Sequence, residues 1–343
     1  MVLKQNSINV STFGLKKNVS LFLVPATLVL LIWVGYMHSS ELWSLFSEYW
    51  FMTVTMIFGS LIAGASSEGG GAIAYPVMTL IFNIEPDVAR NFSFAIQSIG
   101  MTFAAIWILL SGIKIEKNYL IIAGVGGAAG IIFGTFAVAP FVLPAYAKMM
   151  FVSFWLSFGI AIFVVNFVNN RKALDKLPKL RVSQYAELAA VGFIGGIFSS
   201  VLGNGVDICT FSYVVLKYGL SEKVATPTSV ILMASNAIIG FFLHTSVTNS
   251  FQTEAFEYWL VSIPVVIFGA PIGAFVINFF SRKSIASLLI AIIIVQFITA
   301  IFIIRPGTQL IIFSLLIFIT GLFLFFVLTK FNSLPGKQTA GKS

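Results

Sequence analysis

The sequence predicts an all-α polytopic membrane protein: two inverted-topology repeats, each a broken (discontinuous) helical hairpin plus three transmembrane helices, with one extra helix at each end. Three observations carry this expectation. Of the 343 residues, 58% are hydrophobic and only 9% are charged, against roughly 25% charged in a soluble domain. Apolar runs at 19–37, 91–112, 119–142, 147–168, 225–244, 258–280, 284–304 and 308–330 are each long enough to cross about 30 Å of hydrocarbon as a helix. Two further apolar stretches, 49–84 and 186–219, are interrupted near their middles by glycine clusters, SSEGGG at 66–71 and GNGVD at 203–207.

Taken in order, residues 1–48 hold an N-terminal tail and the first transmembrane helix. That helix follows Lys16 and Lys17 as a signal peptide would, but it is long and no small-x-small cleavage site follows, so it is read as retained. Repeat 1 occupies 49–168 and repeat 2 occupies 186–306. Between them, 169–185 is a basic cytoplasmic loop carrying NRKALDKLPKLR, and 307–343 supply the last helix and a cytoplasmic tail. Each glycine-broken stretch reads as two short helices meeting at a break. Backbone that leaves the helical path at membrane depth must be buried in protein or line a watery cavity, because lipid satisfies no N–H or C=O group.

An inside N-terminus places all of the 20 basic residues except Arg90, Lys148, Lys217 and Arg305 on the cytoplasmic side, so the positive-inside bias is strong and puts both termini in the cytoplasm. The net charge of +8 is thereby explained by topology and calls for no nucleic-acid partner. The single cysteine, Cys209, excludes an internal disulfide and a cysteine-based zinc or redox cluster and reads as packing. No motif calls for a cofactor or a metal.

Sliding the chain by 136 residues aligns Gly59 with Gly195, Gly69 with Gly205, Leu80 with Leu216, Val88 with Val224, Ala89 with Ala225 and Ser93 with Ser229. An offset of 139 then aligns Tyr119 with Tyr258, Gly130 with Gly269, Gly134 with Gly273 and Phe136 with Phe275, including a shared GxxxG packing step. A hairpin followed by three crossings makes the second copy begin on the opposite side, so the repeats are inverted. Inverted repeats with discontinuous helices at matched places point to a secondary transporter with a midplane site.

A helix starting at Gly70 or Gly71, and its counterpart near Val206, would present free N–H groups and a partial positive charge to an anion, with no basic residue deep in any crossing. The candidate substrate-binding residues are Ser66, Ser67, Gly69, Gly70 and Gly71 at the first break, Asn204, Gly205 and Val206 at the second, and Ser93, Gln97, Thr228, Ser229 and Asn236 on the crossings that follow. Asn91 and Thr226 read equally as helix caps, and His244 as an interfacial histidine. Glu68 and Asp207 would repel an anion held at the same turns. A carboxyl group taken out of water is costly to ionise, so either could carry a proton and release it when the site opens, which makes them the candidates for proton or sodium coupling.

On SEGGGAIAYP at 67–76, VARNFS at 88–93, GGIFSSVLGNGVD at 195–207 and VATPTS at 224–229, the chain resembles the sulfite exporter TauE/SafE family of bacterial membrane permeases over about 49–304. Ser67 and Glu68 stand where the family has glycine and an aliphatic residue, and Val206 and Asp207 replace its last two glycines. The resemblance implies a multi-pass inner-membrane transporter, commonly an exporter, of sulfite, organosulfonates or related small sulfur-containing anions, with proton coupling in some members. Partners are then a small anion, the bilayer and a coupling ion, with homo-oligomer formation left open. The competing readings are an anion channel and a carrier of other small organic anions. Intramembrane enzymes fit poorly: Asp207 stands one residue too late for a Gly-x-Gly-Asp protease run, no second aspartate lies in a crossing, and His244 has no Gly-x-Ser-Gly partner.

Overall fold

The structure, a computed structural model, describes residues 12–67, 69–168 and 173–330. Apart from one isolated bridge between Leu174 and Leu220, the described residues form helices, turns and loops. Among them, nine helices are long and apolar enough to cross a bilayer. They are α1 (Thr12–Ser39), α5 (Pro86–Leu110), α6 (Lys117–Ala137), α7 (Pro144–Phe163), α8 (Val182–Leu202), α10 (Glu222–Phe242), α11 (Thr253–Ile277), α12 (Arg282–Ile304) and α13 (Thr308–Lys330). A single turn α2 (Leu45–Glu48) precedes α3 (Trp50–Ala65), and α4 (Gly69–Pro76) and α9 (Val206–Lys217) are short. Wider π turns extend α4 to Ile81, α7 to Val168 and α10 to Val247.

The two broken stretches are hairpins that return to the face they started from. Phe51 at the entry of the first stacks on Phe82 at its exit, with ring centroids 4.1 Å apart. At the base of the second, the Tyr213 hydroxyl donates to Glu187 at 2.6 Å and Lys217 pairs with the same carboxylate. Lys217 thus lies at a hairpin base, with its charge neutralised.

One expectation needs correction: the second stretch is not two short helices. α8 runs unbroken for 21 residues and could cross a bilayer alone, whereas α9 has 12. Gly192, Gly195 and Gly196 stay helical because they serve packing. A Cβ on Gly192 would overlap the carbonyl of Ala123, and one on Gly196 that of Gly127. The chain leaves the helix only at Gly203, whose φ of 82° is a conformation that side chains rarely adopt.

Packing is exchanged between the halves. Helix α8 lies along α6, and α3 lies along α11, while α5 and α10 pack against each other in the centre. The GxxxG glycines make these contacts possible. Gly130 admits the Phe193 carbonyl and Gly134 abuts Ile197, while Gly269 abuts Ser60 and Gly273 admits the Leu61 carbonyl. Without a hydrophobic force between helices in lipid, such close backbone approach supplies the dispersion contact that holds them together. Helices α12 and α13 turn many of their apolar residues outward, as Val295, Phe302, Phe323 and Phe326 show.

Loop contacts define two faces. On one, the described part of the basic loop docks onto the neighbouring turns: Leu177 N–H donates to Glu116 at 3.1 Å, Leu174 N–H to the Gly219 carbonyl at 2.8 Å, and Lys114 pairs with Asp175 at 3.5 Å. On the opposite face, Tyr49 donates to Glu257 at 3.0 Å and Asn91 to the Ser250 carbonyl at 2.8 Å. The first hairpin therefore opens on the opposite face and the second on the basic-loop face.

Candidate functional site

The second break is built by glycine geometry and closed by the chain itself. After Gly203, helix α9 starts with Gly205 as its N-cap, at φ 156° and ψ −31°. The sequence expects bare N–H groups here, ready for a ligand. Instead the Gly205 N–H donates to Asp207 Oδ1 at 3.0 Å, and the Val206 N–H to Ser199 Oγ at 3.0 Å. Asp207 is fully buried, and its second oxygen, Oδ2, has no hydrogen-bond partner among the described residues. A carboxylate at the positive end of a helix is where an anion is favoured, so the protein's own acid occupies the place foreseen for a substrate.

The first break presents Gly69, at φ 74°, to α5 and α10. A Cβ there would meet the Met233 thioether and stand 2.8 Å from Gln97 Oε1. Glu68 lies outside the described residues. Gly70 and Gly71 continue the first turn of α4. Ser66 and Ser67 are fully buried, and Ser67 Oγ has no partner among the described residues.

Gln97 joins the two breaks. Its amide nitrogen donates to the Gly203 carbonyl at 3.0 Å and to Ser93 Oγ at 2.7 Å, while Oε1 has no partner among the described residues and lies beside Gly69. Ser93 Oγ also reaches the Gly203 carbonyl, at 3.3 Å. Asn236 is buried with neither amide atom bonded among the described residues, and shares an alcove at Gly127 with Val206. Buried polar atoms usually find partners, and leaving one without costs about 1–3 kcal/mol. Ser67, Gln97, Asp207 and Asn236 concentrate that cost around the two breaks.

Other candidates have different neighbours. Thr228 Oγ1 accepts from the Glu116 N–H at 2.9 Å and donates to the Val224 carbonyl at 2.6 Å, anchoring the turn before α6. Ser229 donates to the Thr226 carbonyl of its own helix. Asn204 is buried at the tip of the second hairpin and lines a cavity toward the opposite face. His244 is buried near the end of its helix, stacked on Phe94 with centroids 5.6 Å apart, and bonded to Ser250.

Sequence reasoning missed Ser199, which caps α9 from seven residues upstream; its only signal is a serine pair one turn before the break. It also missed Tyr119, whose hydroxyl meets Thr210 in the first turns of α9 at 2.9 Å. The topology expected from the sequence leaves Arg90 and Lys148 outside, yet both lie on helices and turn inward. Arg90 is buried, paired with Asp87 at 3.1 Å and bonded to Asn91. Lys148, one turn into α7, lines the cavity that contains Asn204.

Cavities beside the breaks include two that lie toward opposite faces. One, of about 30 Å³, lies toward the opposite face between α4, α7, α12 and the tip of α8. The other, of about 10 Å³, lies toward the basic-loop face among Gly64, Thr226, Pro227 and Asn278. A single water needs roughly 10–15 Å³ of such space, so neither of these cavities holds more than a few waters.

The family model for the sulfite exporter TauE/SafE matches the chain over residues 51–303. Among curated proteins and among solved structures, no significant match to the chain is found. The matched span takes in both hairpins and the three long helices after each, the whole of the arrangement just described. The chain is a multi-pass membrane protein that belongs to the TauE/SafE sulfite exporter family.

Proposed function

We propose that the protein is a secondary transporter that exports small sulfur-containing anions, such as sulfite or organosulfonates, across the bacterial inner membrane by alternating access. The observation that carries this reading is Gln97, one side chain touching both breaks between cavities that lie toward opposite faces. The two halves, 49–168 and 186–306, act as inverted repeats that rock against each other. The exchanged glycine packing supports this, since Gly134 on Ile197 and Gly273 on Leu61 occupy corresponding places at the offsets found in the sequence. The density of basic residues puts the basic-loop face and both termini in the cytoplasm.

Coupling follows from competition at the start of α9. Asp207 as a carboxylate holds the Gly205 N–H; when protonated it becomes a weaker acceptor and leaves the helix end to the substrate. Anion and Asp207 charge then exclude each other, so each anion bound draws in a proton and each anion released lets it go. Glu68 is the second acid with access to such a role. Ser67, Asn204, Ser93 and Asn236 supply further donors around the anion.

The test is flux of labelled sulfite, sulfoacetate, taurine and sulfate in proteoliposomes, with and without an imposed pH gradient. Gradient-driven movement of a sulfur anion supports the carrier. Ohmic current that ignores the proton gradient would favour the channel, and no flux of any of these anions would remove the substrate class.

A further inference from the structure

We propose that Lys148 and the cavity beside it form an anion-recognition site on the face opposite the basic loop, selecting small oxyanions as they pass between that face and the second break. This inference rests on the anion-carrier reading above and adds which residue recognises charge, and from which side.

Lys148 follows Pro144, the first residue of α7, by one turn, so its ammonium lies at the level where the helix enters the apolar region. A long cationic side chain there can reach back to the surface water. Lys148 instead lines the cavity and places Nζ 5.6 Å from the centroid of the Tyr75 ring, within range of a cation–π contact. No carboxylate lies within ion-pair distance of it among the described residues. An ammonium half removed from water without a counter-charge is costly, and a mobile anion offsets that cost when it enters.

The rest of the lining fits the same ligand. Thr79, Tyr75, Asn204 and Gln296 bring buried polar groups to the wall, and the remainder is apolar. Asn204 belongs to the turn between Gly203 and Gly205, so an anion leaving Lys148 meets the second break directly. The cavity toward the basic-loop face has a different character. Its wall includes both Lys223 and Glu222, so a carboxyl group lines it as well as a cation. The recognition is therefore one-sided.

The experiment compares wild type, Lys148→Gln and Lys148→Arg in vesicles and nanodiscs of neutral phosphatidylcholine, which contain no anionic headgroup to substitute for the ligand. Binding of labelled sulfite and sulfate is measured at equilibrium, and flux is measured with the anion supplied from each face in turn. The expected result for Lys148→Gln is binding weakened about tenfold and KM raised about tenfold from the Lys148 face only. Maximal rate should stay within about twofold, the KM of that face should lose its dependence on ionic strength, and Lys148→Arg should resemble wild type. Monodisperse elution of both variants guards against misfolding. Wild-type flux with binding and KM unchanged in Lys148→Gln overturns the inference and leaves the carrier reading intact. Binding that depends on Lys148 without flux overturns the carrier reading and leaves the recognition site. Absence of any anion binding to wild type overturns both.

Discussion

Gln97 donates its side-chain amide to the main-chain carbonyl of Gly203 at 3.0 Å, tying the first long crossing of one half to the break of the other. The carbonyl belongs to Gly203, the residue that caps the C-terminal end of α8, and carbonyls at a helix C-terminus have no partner within their own helix. Ser93 shares the task from one turn away. The contact is thus both a helix cap and a bridge between two elements that the proposed alternating access would separate.

Gln97→Leu removes the bridge and leaves Gly203 with the weaker Ser93 bond. The expected cost is about 1–3 kcal/mol in stability, read as a lower thermal midpoint in detergent, together with loss of flux. Gln97→Glu keeps the shape but replaces the donor with an acceptor facing a carbonyl. It should lose flux at neutral pH and recover part of it on acidification, when the added carboxyl can donate. Equal flux for Gln97→Leu and wild type would show that the bridge is not part of the transport path.

Asp207→Asn retains a side-chain oxygen to accept from Gly205 and removes the titrating group. The expected outcome is a folded protein in which anion exchange persists and the pH gradient no longer drives net movement. Asp207→Leu also loses the hydrogen bond from the Gly205 N–H, worth about 1 kcal/mol, so its thermal midpoint should fall below that of Asp207→Asn. Gradient-driven uptake by Asp207→Asn at the wild-type rate would transfer the coupling role to Glu68.

Gly134→Ala and Gly273→Ala press a methyl group onto the neighbouring hairpin helix, at Ile197 and at Leu61 respectively. Both should destabilise by about 1–3 kcal/mol, the usual cost of overpacking, and by similar amounts. At Gly35 in α1 an added methyl group would have nothing within 4 Å, so Gly35→Ala should leave the midpoint unchanged or raise it slightly. Thermal unfolding of the three variants side by side decides this; a large difference between the first two would argue against equivalent packing in the halves.

Thr228→Val distinguishes a structural hydroxyl from a substrate contact. Its Oγ1 accepts from the Glu116 N–H, and Glu116 in turn holds the Leu177 N–H of the basic loop. Loss of the hydroxyl should lower stability and increase proteolysis of the basic loop, with KM for the transported anion changed less than about twofold. A tenfold rise in KM with unchanged stability would place Thr228 in the substrate path.

Membership of the bilayer, the crossings and the two glycine breaks were legible from the sequence, because each depends on local composition: a helix in lipid needs about 20 apolar residues, and few residues other than glycine take the backbone angles of Gly69 and Gly203. The glycine spacing at Gly134 and Gly273 is visible in the sequence, and each of these glycines sits against a hairpin helix, at Ile197 and at Leu61. What glycine was doing at a given place was not. Gly192 and Gly196 let another helix approach while Gly203 turns the chain, and composition is the same for both uses.

Tertiary structure alone decided which polar groups meet. Gln97 stands 106 residues from Gly203, and no local pattern records that pairing. The turn that brings Asp207 onto the Gly205 N–H depends on the path between Gly203 and Val206, and the inward turn of Lys148 depends on Tyr75 and Asn204 arriving beside it from two other segments. Solvation of each stretch is an additive property of its residues, so the sequence determined where the membrane lies. Hydrogen bonds and charge contacts depend on direction and distance between remote segments, so the site became visible only once those segments were packed.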